Sequence, residues 1–496
     1  MKNRLRNAIV AGVTLALSQL VGQVCAKQPN VLFIVFDDLN TRVGPSGYEH
    51  ISTPTLDRLA EEGMTLQRAY CQYPVCGPSR ASFLSGLYPE STGILDNSTD
   101  IREVRPGTIT MPHLFKENGY WTGGVGKIYH NDKMDHGDVA WNERHFFEND
   151  ELPMVTPIRE RWEKEHGKID SSKKTAKAWK EFCLTIAPQT ANQKPGYGPT
   201  GLRDDQHKDG KNARQIVSWL KNNAQGDKPF FMACGIHKPH GPFLAPDAYF
   251  DIYPKEDLVC EPASLSYWDQ APKMAQTARY KGYDFEFGVE NDPLRRNYTQ
   301  AYHACISFID AQVGLIFDAL KSEGLWDDTI VVLISDHGYL LGEKFMWGKV
   351  FLWDMGTRVP MIVRVPGMTK PGSVSQSLVE LVDIYPTLSE LCGFEAPADL
   401  QGKSITPILK DPEATVRDST YTVVRRGAGE AQLGRTVQTD RWRYVLWHDG
   451  SEEFYDLKND PEELKNLAKS AERENTLEEM RGRLVKAREM AASERK

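Results

Sequence analysis

The sequence predicts an α/β protein, a parallel sheet covered on both faces, followed by a small C-terminal antiparallel sheet. Two observations carry that class. Three continuous apolar runs each end in a polar cluster, and short strand-like segments follow a composition change near Lys410-Asp411-Pro412. Unbroken apolar runs suit strands buried on both faces of a parallel sheet. At 496 residues the chain exceeds one small core, which implies two or three domains or one large domain with an appendage.

The chain opens with Lys2, Arg4 and Arg6 before an apolar run from about Ile9 to Val24, closed by Val24-Cys25-Ala26. That is the pattern of a cleaved signal peptide over residues 1–26. It predicts export to the periplasm or beyond, with no stable membrane insertion, and no later segment reads as apolar enough to span a bilayer. Cleavage near Ala26 would take the formal net charge from −8 to −11. Such an acidic chain is no obvious nucleic-acid binder, and an anionic substrate needs a local basic pocket. Seven cysteines would remain: Cys71, Cys76, Cys183, Cys234, Cys260, Cys305 and Cys392. An odd number in an exported chain invites a special role for one. Asn97-Ser98-Thr99 and Asn297-Tyr298-Thr299 are glycosylation sequons.

Asn30 to Phe36 is the first buried strand and stops at Asp37-Asp38. Thr53-Pro54 opens a helix that Gly63 closes, with Leu56 and Leu59 inward. Pro78 suits the first turn of another helix and places Cys76 at its N-terminus, where free N–H groups favour an anion. Pro229 to Ala233 is the second buried strand and leads through Cys234-Gly235-Ile236 into His237-Lys238-Pro239-His240. Thr329 to Ile334 is the third and ends in Ser335-Asp336-His337-Gly338. Ligands of open α/β sheets bind beyond the carboxyl ends of strands, so the three clusters point to one site. The polar stretches from about 146 to 211 and 257 to 293 read as insertions near its mouth. Beyond 410, segments around Tyr421, Thr436, Trp442 and Glu453 read as short antiparallel strands, and Leu477, Met480 and Leu484 mark an amphipathic helix.

Cys76-Gly77-Pro78-Ser79-Arg80, continued by Leu84-Ser85-Gly86, resembles the signature by which type I sulfatases present a cysteine for oxidation to formylglycine. Val125-Gly126-Lys127-Ile128-Tyr129-His130, His237 to His240, Ser335 to Gly338 and Trp347-Gly348-Lys349 extend the likeness. On these residues the chain resembles the iduronate-2-sulfatase-like branch of the alkaline-phosphatase-like superfamily. The resemblance implies a large, mixed, mostly parallel sheet sandwiched by helices over residues 27–410, and an antiparallel-sheet and helix subdomain over 411–496. Two departures stand out. Leu87 occupies the place of an arginine common in the family, and Asn40-Thr41-Arg42 replaces an Arg-Pro-Ser of iduronate-2-sulfatases.

The resemblance also implies the site. Asp37, Asp38, Asp336, His337 and the modified Cys76 would hold one divalent metal, most simply Ca²⁺, since hard cations take carboxylate oxygens. Histidine is an unusual calcium ligand, and zinc or manganese is the alternative. The formylglycine hydrate would attack sulfur, with Asp336 accepting its proton, Lys127 and Lys349 neutralising the sulfuryl oxygens and Arg80 holding the diol or the aspartates. His237 would protonate the leaving oxygen and His130 would act as base in expelling sulfate. Arg42, Lys238 and His240 are candidate substrate contacts, although Lys238 and His240 equally suit a role in shaping the Pro239–Pro242 loop. The implied partners are a formylglycine-generating maturation enzyme and a sulfated sugar substrate, a 2-sulfouronate or a sulfated galactan or other algal glycan. A phosphodiesterase or phosphonate hydrolase of the same superfamily is the competing enzyme class.

Overall fold

The computed structural model describes residues 28–147, 162–168, 174, 178, 197–260, 267, 269–276, 293–427 and 429–492. The expected signal peptide, Cys183 and most of both expected insertions lie outside these residues. The main sheet contains β1 (Asn30–Asp37), β2 (Met64–Tyr70), β3 (Trp121–Gly126), β4 (Glu143–His145), β5 (Phe230–Pro239), β6 (Thr329–Ser335), β7 (Arg358–Val359), β8 (Met361–Arg364) and β9 (Ser373–Glu380). Their spatial order is β7-β2-β8-β6-β1-β5-β3-β4, with β9 beside β2. β1 runs parallel to both β5 and β6, and β3 is parallel to β5. Only β7 and β8 run against their neighbours, so the sheet is mixed and mostly parallel.

The three apolar runs are therefore the three central strands. Their register aligns their carboxyl ends, with Phe36 opposite Ser335 on one side and Asp37 opposite Pro239 on the other. β5 reaches further than its apolar run. It continues to Pro239 because the Asp209 carboxylate accepts the N–H groups of His237 and Lys238, at 2.7 and 2.8 Å.

Alternate side chains of β1 feed two cores. Leu32, Ile34 and Phe36 face one, while Val31, Phe33 and Val35 face the other. Helix α1 (Pro54–Glu62) covers the first face and begins and ends at the expected Thr53 and Gly63. Helices α2 (Cys76–Ser85) and α3 (Met111–Glu117) cover the second through Phe83, Leu84, Leu114 and Phe115. Helices α4 (Lys208–Lys221) and α5 (Pro293–Ser322) return to the first. Each fully buried Val, Leu, Ile or Phe contributes roughly 1.5–3 kcal/mol, so these strands are the stable frame of the molecule.

Within α5, Arg295–Ser322 is long and apolar enough to cross a membrane by length and composition. This corrects the expectation that no later segment would be. Its apolar window is mostly buried inside the protein, as suits a core helix. Beyond the main sheet, β10 (Thr420–Arg425), β11 (Leu433–Gln438), β12 (Trp442–Leu446) and β13 (Glu452–Asp456) form an antiparallel sheet. Helix α6 (Glu474–Ala492) closes it with Leu477, Met480 and Leu484, all buried as the spacing predicts.

Candidate active site

Cys76 is the first residue of α2, and Val75 before it is extended. Its neighbour Gly77 donates its N–H to Asn97 Oδ1 at 2.8 Å, while Pro78 has no N–H to satisfy. The Cys76 side chain is 1% exposed. Its Sγ lies 3.1 Å from Asp37 Oδ1, 3.4 Å from His337 Nε2 and 3.0 Å from Lys349 Nζ. Burial, reinforced by the Asp37 charge, pushes the thiol up to about 12. The sulfur therefore keeps its proton at neutral pH and is a poor nucleophile as it stands.

Asp37 ends β1 and Asp38 follows in the left-handed region, at φ 67°. That conformation costs about 1–3 kcal/mol unless its surroundings hold it. Here Tyr302 Oη donates to the Asp38 carbonyl at 2.6 Å, and the Asp38 N–H donates to Asp336 Oδ1 at 3.2 Å. Asp336 follows β6 directly and is gripped by Arg80, whose Nε and Nη2 lie 3.0 and 2.9 Å from its Oδ2. Ser79 Oγ donates to the Asp336 carbonyl at 2.5 Å. These contacts tie the start of α2 to two strand ends.

Two lysines complete the cluster. Lys127 follows β3 and its ammonium pairs with Asp37 Oδ2. Lys349 Nζ sits 2.7 Å from Asp38 Oδ1. Burial opposes ionisation of Asp37, but Lys127, His240, Arg80 and Lys349 overcome it and hold the carboxyl well below its usual range. Asp38 is lowered in the same way, with Lys349 as the leading cation. Asp336 is raised, because its burial outweighs His337 and Arg80. Lys349 is pushed well above its ordinary value, since Asp38 and Cys76 outweigh its burial.

The donor set suits a metal. One ligand atom each from Asp37, Cys76, Asp336 and His337 lie within 4.8 Å of one another, and so do atoms of Asp37, Asp38, Cys76 and His240. Three carboxylates fit a hard divalent cation, with the His337 imidazole as the softer member. Three cations, Arg80, Lys127 and Lys349, already balance the three carboxylates. A bound divalent ion would leave the centre net positive, as an anionic ligand requires.

The remaining candidates divide. His237 Nδ1 lies 3.8 Å from Asp37 Oδ2, and its ring is 4.8 Å from that of His240. Burial, then the charge of His240, holds His237 well below the ordinary histidine range. His130 borders the Arg80 side of the cluster, and burial together with Lys127 lowers it to about 3. Lys238 is fully buried and its Nζ donates to the Pro242 carbonyl at 2.6 Å. Arg42 pairs with Glu343 and stacks on Tyr48, 5.4 Å from the ring centre, along a different cavity. The structure thus gathers Asp37, Asp38, Cys76, Arg80, Lys127, His237, His240, Asp336, His337 and Lys349, and sets Lys238 and Arg42 to other contacts. The supporting residues Asn97, Asp209 and Tyr302 escape sequence reasoning. Asn97 reads as a sequon, yet its Oδ1 caps the helix that carries Cys76.

Residues 29–394 match the Sulfatase family. The chain is a type I sulfatase of the alkaline-phosphatase-like superfamily. Residues 342–490 also match the C-terminal region of N-sulphoglucosamine sulphohydrolase. A sulfatase of Formosa agariphila is 32% identical over 92% of this chain and 87% of its own length. Iduronate 2-sulfatase of Mus musculus is 30% identical over 74% of this chain and 69% of its own. Among solved structures, phosphonate monoester hydrolase of Agrobacterium radiobacter superposes with a TM-score of 0.74 at 24% identity, covering 93% of this chain and 96% of that one. At that identity the likeness speaks for the fold. This sulfatase is therefore a hydrolase whose family works on sulfate esters with a metal ion and a formylglycine.

Proposed function

We propose that this sulfatase removes sulfate from a sugar of a polysaccharide-derived oligosaccharide outside the cytoplasm, using formylglycine made from Cys76 and one divalent metal, Ca²⁺. The observation that carries the reading is the Cys76 side chain, buried at the start of α2 within 3.4 Å of Asp37, His337 and Lys349. An unmodified thiol there would be a poor catalyst. Export rests on the basic, apolar and small-residue pattern of residues 1–26. Domain limits of 27–410 and 411–496 belong to the same reading.

Asp37, Asp38, Asp336 and His337 would hold the metal, which would lower the pKa of a hydroxyl of the aldehyde formed from Cys76 once water has hydrated it. The protein's own residues do the rest. Lys349 and Lys127 face the position of Cys76 with fixed positive charge, where the sulfuryl oxygens gain negative charge. Arg80 keeps Asp336 and the start of α2 in register. Burial and nearby positive charge disfavour the His237 imidazolium, and an arriving sulfate adds the negative charge that favours it. It can then give a ring proton to the leaving sugar oxygen. Burial and Lys127 hold His130 neutral in the resting site, and in this reading the negative charge of bound sulfate raises its basicity so that it takes the proton as sulfate is expelled. His240 faces the same carboxylates and serves as a substrate or metal contact.

Mass spectrometry of the peptide containing Cys76, with sulfate release from a panel of defined sulfated oligosaccharides, tests this reading. An aldehyde in place of the thiol, and loss of all turnover in Cys76→Ala with an unchanged fold, are expected. An active enzyme that retains the thiol would refute the formylglycine. Phosphonate or phosphodiester hydrolysis faster than sulfate release would move the protein to the competing class. The preferred sugar in the panel decides between a 2-sulfouronate and a sulfated galactan.

A further inference from the structure

A second cavity, mostly apolar but edged by two arginines and two histidines, lies on the segment that follows His130. It encloses about 280 Å³ and is lined by Arg102, Arg105, His113, His136, Ile101 and Val139, while Asp100, Asp399 and Glu117 pair with Arg102, Arg105 and His113 from outside that lining. Ile101 is shared with a small cavity that reaches Arg80 and His130. His136 stacks on Tyr129, with ring centres 4.7 Å apart, and Tyr129 immediately precedes His130. His136 lies six positions after His130, so the chain allows no more than roughly 20 Å between them.

The cavity has the makings of a sugar subsite. Arg102 is held rigid by Asp100 and by the carbonyls of Asp135 and Lys133, while its side chain remains 44% exposed. Arg105 is anchored to Asp399 at 2.8 Å. His136 is buried with an Nε2 that has no hydrogen-bond partner, so the wall contains an unsatisfied polar atom. Val139 is 54% exposed and gives the rim an apolar surface for a sugar face. Planar guanidinium groups suit sulfate and carboxylate alike.

We infer that this cavity binds an anionic substituent, sulfate or carboxylate, on a sugar next to the one that is desulfated. The inference rests on the glycan-sulfatase reading above. It makes the preferred substrate an oligosaccharide with two anionic groups, one at Cys76 and one between Arg102 and Arg105.

Sulfate release is to be compared for 4-nitrophenyl sulfate, an oligosaccharide with the scissile sulfate alone, and the same oligosaccharide with a sulfate or a uronate carboxylate on the neighbouring ring. The added anion should lower KM about tenfold, the effect of one charge-assisted contact. Arg105→Glu should abolish that advantage while turnover of 4-nitrophenyl sulfate stays within about twofold. Arg105→Gln, with its melting temperature checked, gives the same readout if the reversal destabilises the fold. Whichever anion gains the advantage is the one recognised. No advantage from either, an Arg105 variant with unchanged KM, or an equal loss on all substrates would each overturn the subsite. Calorimetric binding of the doubly anionic oligosaccharide separates the two readings. Binding through Arg105 without sulfate release refutes the reaction alone, and sulfate release with binding indifferent to Arg105 refutes the subsite alone.

Discussion

Lys349 and Lys238 are both buried or nearly so, yet their ammonium groups do different things. Lys349 touches Asp38 and Cys76, whereas Lys238 holds the Pro242 carbonyl. Lys349→Ala should therefore lower kcat/KM about 10²–10³-fold, the range for removing one fixed donor at a developing charge. Lys238→Ala should cost less than about tenfold, and equal losses in parallel kinetics would reassign the two. His303 makes a different residue-scale prediction. It is 1% exposed between the rings of Tyr48 and Tyr253, and neither ring nitrogen has a hydrogen-bond partner. Burial, then Arg42, lowers it to about 3, while an unfolded histidine titrates near about 6.5. Between those values the unfolded chain binds a proton that the native state refuses. Stability from this group is thus complete above about pH 6.5 and falls as the pH drops toward about 3. His303→Phe should raise stability by about 1–2 kcal/mol and flatten the acid limb of thermal melts. A steeper acid limb would contradict it. The motif residues were legible because their segments announce chemistry at strand ends. Asp209, Asn97 and Tyr302 were not, because each acts on a backbone group 28, 20 and 264 residues away, and nothing local marks such a partner.

At the scale of elements, the three apolar runs told where the site lies, but not how closely β3 and β5 pack behind it. Gly126 has φ 72°, and a Cβ there would meet the Gly235 carbonyl at 2.2 Å. A Cβ on Gly235 would meet the Lys127 backbone at the same distance. These glycines let Lys127 turn out of β3 toward Asp37 while β5 carries His237 past it. A single glycine in a strand-like run does not reveal which backbone it admits. Gly235→Ala should cost about 1–3 kcal/mol by overpacking. It should also lower kcat/KM at least tenfold, because Lys127 and His237 would both shift. Thermal melts and kinetics on the same preparation check this, and wild-type kinetics would show that the close approach has no bearing on the site.

The whole molecule joins its two sheets through the catalytic segment. Tyr421, Val437, Tyr444 and Phe454 of the antiparallel sheet share one core with Phe351 and Trp353, which follow Lys349. Arg443 on β12 is 1% exposed and reaches across to the Leu352 carbonyl, to Thr357 Oγ1 at 3.1 Å and to Asp354 Oδ1 at 3.0 Å. Its Nε lies 2.7 Å from Glu463 Oε1, itself on the segment between β13 and α6. The sequence marked the C-terminal strands as an appendage, since short segments carry no sign of what they pack on. The contacts tie them to the turn just beyond Lys349, from Val350 to Thr357. Removing one partner of a buried ionic network costs about 3–5 kcal/mol, because the other charges remain buried and unpaired. Arg443→Ala should lower stability by about that amount and reduce kcat/KM as the 350–354 turn relaxes, although Arg443 touches no reacting atom. Arg443→Lys keeps a charge but not the planar fork, so it should recover part of the stability and little of the geometry. If the alanine variant melts earlier yet turns over like the wild type, the antiparallel sheet stabilises the molecule without positioning Lys349.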